Sequence, residues 1–102
     1  MIVTLIAGKL SGAPERRQTS NGRSIVKASV KARLGREQTQ TWQVIAYDPA
    51  VQTELMRLND ADFLCLQGVP IFRTATVKGE PILQYILHPE AILSLRPEGV
   101  LE

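Results

Sequence analysis

Around residues 24–33 the sequence alternates. Lys27, Ser29, Lys31 and Arg33 share one parity, and Val26, Ala28, Val30 and Ala32 share the other. A period of two places successive side chains on opposite faces of a strand, about 7 Å apart along each face. One face is therefore small and apolar, and the other is cationic. The interval is close to the phosphate repeat of an extended nucleic-acid strand, so the chemistry on offer is anion recognition. Lys9, Arg16, Arg17 and Arg23 lie earlier in the chain, and Arg73 lies later. Residues 1–40 hold eight basic residues against two acids, a net +6, whereas residues 41–102 hold four against eight, a net −4. So basic a segment points to an anionic partner, with nucleic acid first in line; a basic but merely solvated surface is the plain alternative.

Holding unpaired bases also requires flat ring faces. The five aromatic residues are Trp42, Tyr47, Phe63, Phe72 and Tyr85. Trp42 and Tyr47 are candidates for stacking, but they have opposite parity, so a regular strand cannot turn both into one groove. Trp42 also shares its parity with Val44 and Ala46, as a core residue would. Phe72, beside Arg73, is a third candidate. Phe63 alternates with Cys65 and is assigned to the core. Catalytic readings find little support. His88 is the one histidine, and Cys65, the one cysteine, sits between Leu64 and Leu66 as a buried thiol would. No tetrahedral zinc set can be assembled from them. Gly8, Gly12 and Gly22 do not have the spacing of a phosphate-binding loop. The expectation is a binding protein without cofactor or metal.

The elements that must position these residues are mostly strands. Residues 2–10 read as a first strand, in which Gly8 marks a bulge or a close backbone approach. Residues 11–22 read as a loop, with a tight turn at Asn21-Gly22. Residues 24–33 form the second strand, 34–40 a polar connection and 41–47 the third strand. Asp48-Pro49 begins a helix over residues 49–58, with Val51, Leu55 and Leu58 inward. A fourth strand covers 62–68 and continues over 72–77, with a bend at Pro70. Lys78-Gly79 turns into a last strand over 81–88, which Pro89 interrupts and residues 92–95 resume. This is an all-β chain of five strands, with one short helix between strands 3 and 4. The pattern is that of an OB-fold, a five-stranded Greek-key barrel.

The run from Gly8-Lys9-Leu10 through Pro14-Glu15, Arg17, Thr19 and Gly22 resembles the first-strand signature of bacterial single-stranded DNA-binding proteins. The likeness continues through Ala28-Ser29-Val30-Lys31-Ala32 and Thr41-Trp42 to the aromatic Tyr47. It returns at residues 63–68 and 86–95. The resemblance implies an OB barrel that binds single strands, has no catalytic activity and assembles as a homotetramer or dimer. It also implies a loop-arginine role for Arg17, base stacking for Trp42 and Tyr47, and a basic role beside the later hairpin for Arg73. The chain departs from the family by lacking aromatics near Ala28, in residues 34–40 and in residues 74–78. It also lacks the long tail with an acidic tip, so it is more like a short, divergent member.

The 102 residues suit one domain over 1–100, with Leu101-Glu102 read as a scar of cloning. No apolar run is long enough for a membrane span. The opening residues lack the features of a signal peptide, and a lone cysteine fits a reducing cytoplasm. The expected partners are single-stranded DNA, further copies of the chain, and replication proteins. The expected setting is DNA replication, recombination or repair. The competing reading is a protein-interaction or primosome-type assembly module on the same fold, with weak DNA binding or none.

Overall fold

The computed structural model describes residues 3–33 and 38–94. Six strands and one helix follow in the order β1 (Thr4–Leu10), β2 (Glu15–Gln18), β3 (Ser24–Arg33), β4 (Thr39–Ala46), α1 (Pro49–Met56), β5 (Phe63–Val77) and β6 (Glu80–Ser94). β1 pairs with both β5 and β3, β3 with β4, β4 with β6, and β6 with β5. The pairings thus run in a closed cycle, with β2 added along Ser24–Lys27 of β3, ahead of the Val30–Ala32 stretch that pairs with β1. All are antiparallel except β4 with β6.

Two expectations about the elements need correction. Residues 11–22 are not wholly a loop, because Glu15–Gln18 pairs with Ser24–Lys27 as β2. The helix consequently follows the fourth strand rather than the third. The expected breaks at Pro70 and Pro89 do not occur either. β1 ends opposite Gly68, and β4 meets β6 only at Tyr85, Ile86 and Leu87. Each proline therefore lies where its strand has a neighbour on one side, so a missing N–H interrupts no second ladder. The irregularity falls instead between Gln67 and Gly68. Residues 34–37 and 95–102, including Leu101-Glu102, lie outside the described residues.

Alternation builds the interior. Val26, Ala28, Val30 and Ala32 of β3 face Ile6, Leu10, Val44, Ala46, Leu64, Leu66 and Leu87. Val51 and Leu55 cap this core from α1, which ends at Met56 rather than at the expected residue 58, and Leu58 joins them from just past the helix end. Asp48 begins α1 by accepting the N–H groups of Ala50 and Val51 at 2.8 and 3.2 Å. Gly8 is fixed by closeness, because a Cβ there would collide with the Lys31 carbonyl across the β1–β3 seam. Lys78 and Gly79 both have positive φ, 52° and 81°, the geometry of a two-residue hairpin turn. No described helix is long and apolar enough to cross a membrane.

Candidate nucleic-acid interface

The outward face of β3 carries Lys27, Lys31 and Arg33, all exposed, with Ser29 partly covered between them. Antiparallel partners project to the same side of a sheet. The register therefore sets Lys9 of β1 directly opposite Lys31, and on β4 it sets Ile45 opposite Lys27, Gln43 opposite Ser29, Thr41 opposite Lys31 and Thr39 opposite Arg33. Glu15 of β2 stands opposite Lys27. It is bound to Arg17, whose Nε and Nη2 donate to Oε1 at 3.1 and 2.5 Å. That hydrogen bond, reinforced by the guanidinium charge, lowers the Glu15 carboxyl below its ordinary pKa.

Two grooves border this face. One, of about 750 Å³, is lined by Lys9, Lys31, Arg33, Thr39, Asp60 and Phe63, among others. The other, of about 350 Å³, is lined by Glu15, Arg17, Lys27, Ser29 and Gln43, among others. Ser11 borders both, and its N–H donates to the Ser29 carbonyl. The grooves thus form one track along β3, with cations from β1, β2 and β3 spaced along it. An extended polyanion can lie in such a track with its phosphates against successive ammonium and guanidinium groups.

The expected site residues divide into three groups. Lys9, Arg17, Lys27, Lys31 and Arg33 come together on the track. Arg16 and Arg23 do not join it. The Arg16 guanidinium turns toward the helix and donates through Nη1 to Ser24 Oγ and Gln52 Oε1, both at 3.1 Å. Arg23 lies over the Tyr47 ring, 5.0 Å from its centroid. Phe72 and Arg73 stand on the long β5–β6 hairpin and project from opposite faces. Phe72 is exposed, and Arg73 donates from Nε to Gln84 Oε1 at 3.2 Å.

Trp42 requires a correction. Its indole is only 6% exposed. It lies inside with Val44 and Ala46, and the edges of Tyr85 and Phe72 meet it at centroid distances of 5.3 and 6.0 Å. Parity decided the matter: an inward position on a regular strand cannot offer a ring to solvent. Tyr47, of the opposite parity, does face outward at 37% exposure. It packs edge-on against His88, 5.2 Å between centroids. Partial burial lowers the His88 pKa below the ordinary value.

Phe63 is the residue that the sequence reading missed. It was assigned to the core, yet it is 49% exposed in the larger groove. Its neighbours Leu64 and Leu66 hold the interior, so Phe63 and Cys65 point the other way, and Cys65 is only half-buried. The available signal was the β5 alternation itself, read with the opposite phase. Among the described residues, no group of three His, Cys, Asp or Glu side chains could hold a metal ion.

No protein-family model and no curated protein matches the sequence. Solved structures do. A small single-stranded DNA-binding protein from Streptomyces coelicolor is 22% identical over 91% of this chain and 93% of its own, with a TM-score of 0.71. A Plasmodium falciparum single-stranded DNA-binding protein, solved in complex with single-stranded DNA, is 14% identical over 93% and 95%, with a TM-score of 0.70. A mitochondrial single-stranded DNA-binding protein from S. cerevisiae is 10% identical over 92% and 94%, with a TM-score of 0.75. Over more than nine-tenths of its length, this chain shares its fold with these three proteins.

Proposed function

We propose that this chain is a non-catalytic OB-barrel module that binds single-stranded DNA without sequence preference. Its setting is DNA replication, recombination or repair in the cytoplasm. The observation that carries the reading is the alignment of Lys9, Lys27, Lys31 and Arg33 along one groove-bordered track. Cations so placed supply affinity through counterion release. The exposed ring of Phe72 favours unpaired bases over a duplex, whose bases are already stacked on one another, whereas Tyr47 is engaged by Arg23 and His88. The likeness in fold to proteins named for single-stranded DNA binding supports the same reading.

The chain also works as a homo-oligomer in this account. Leu5 and Leu93 are 70% and 65% exposed, and they project from the outward face of β1, β5 and β6 with Ala7 and Cys65 between them. An apolar strip of this kind is covered when two copies meet. An assembly module without DNA binding would need that strip but not the cationic track.

Fluorescence anisotropy with labelled oligo-dT and a labelled duplex tests the function. Oligo-dT should bind at low salt, weaken as salt rises, and compete well against the duplex. No binding to oligo-dT at low salt would contradict the proposal.

A further inference from the structure

We infer that the path of the bound strand leaves the β3–β4 face, crosses the β1–β3 seam, and seats a base on Phe63. This inference rests on the single-strand reading above and adds a second subsite to it.

The argument begins with a repulsion. Lys9 and Lys31 are direct cross-strand partners, and Arg33 borders the same groove. Like charges placed opposite one another destabilise a sheet unless an anion lies between them. Asp60 lines the groove wall. Its Oδ1 already accepts the Gly12 N–H at 2.7 Å, which ties it to the loop after β1. A phosphate lying between the Lys9 and Lys31 ammonium groups relieves that repulsion.

The second observation is apolar. The Phe63 ring stands in this groove with about half of its surface open, and the Lys9 ammonium lies 4.9 Å from its centroid. With the ammonium over the ring, one nucleotide fits with its phosphate on the ammonium and its base against the part of the ring left open. The groove, of about 750 Å³, has the volume for such a unit. The register fixes the route, because Lys31 belongs both to the β3 track and to the Lys9 pair.

The test compares wild type with Phe63→Leu, which keeps apolar bulk but removes the ring face. Each protein is titrated with oligo-dT and with an abasic oligomer of equal length, and its mass is measured by light scattering. Phe63→Leu should weaken oligo-dT binding by about 5- to 100-fold and leave abasic binding and mass unchanged. Lys9→Ala should flatten the salt slope by about 1 for both oligomers. Unchanged oligo-dT affinity in Phe63→Leu, equal losses on both oligomers, or a change in mass would overturn the subsite while leaving the wider reading intact. Failure of wild type to bind either oligomer would overturn both.

Discussion

At the scale of single residues, the buried Gln52 shows how one side chain ties several elements together. It is the one buried polar residue among those described, and its amide donates to the carbonyls of Ser24 and Ala46 at 2.9 and 3.0 Å. Gln52→Ala leaves these carbonyls without their partner, and it also removes the acceptor for Arg16. Chemical denaturation should show a loss of about 1–3 kcal/mol; an unchanged midpoint would remove Gln52 from this role. His88 gives a pH signature. Its folded pKa lies below its unfolded value, so the unfolded chain takes up the proton first as pH falls. Stability should decline as pH drops through the unfolded value of about 6.5 toward the folded one. Above that window the contribution is fully present. His88→Gln should flatten the decline relative to wild type in paired melts from about pH 7.5 to about pH 5.5. Trp42 gives an optical signature. A sealed indole should emit at short wavelength and resist iodide quenching, and a solvent-like spectrum would contradict its placement.

At the scale of elements, alternation was the most legible signal. The lysine and arginine face of β3 and its apolar reverse followed from period two alone, as did the outward turn of Tyr47. The Asp48-Pro49 start of α1 and both tight turns were equally plain, because they rest on local backbone chemistry. β2 was not legible: Glu15–Gln18 has neither apolar alternation nor β-branched residues, and only pairing with β3 makes it a strand. Pro70 and Pro89 misled for a related reason. Whether a proline breaks a strand depends on which neighbours flank it, and this is a tertiary fact. The phase of β5 failed likewise, since Phe63 and Leu64 are comparable core candidates until Ile6 and Leu10 claim Leu64. The β1–β3 seam yields a sharp prediction. Gly8→Ala drives a methyl into the Lys31 carbonyl and should cost about 1–3 kcal/mol in thermal or chemical melts. Wild-type stability in that variant would mean that the seam is looser than described.

At the scale of the whole molecule, charge and apolar surface adjoin. Cations collect along β3 and its neighbours, while Leu5 and Leu93 mark an apolar strip on the outward face of β1, β5 and β6, which reaches the Lys9–Phe63 pair through Ala7 and Cys65. The β3 track can take DNA while Leu5 and Leu93 meet a second copy. Leu5→Glu should lower the mass seen by light scattering and leave the affinity per chain for a short oligonucleotide nearly unchanged. A parallel loss of binding would show that the two surfaces are not independent. The central claim is that Lys27, Lys31 and Arg33 act together on the phosphates of one strand. Its most direct test is the slope of log affinity against log salt for oligo-dT, measured for wild type and for the triple alanine variant. The account predicts a slope shallower by about 2 in the variant, with affinity reduced most at low salt. Identical slopes would contradict it.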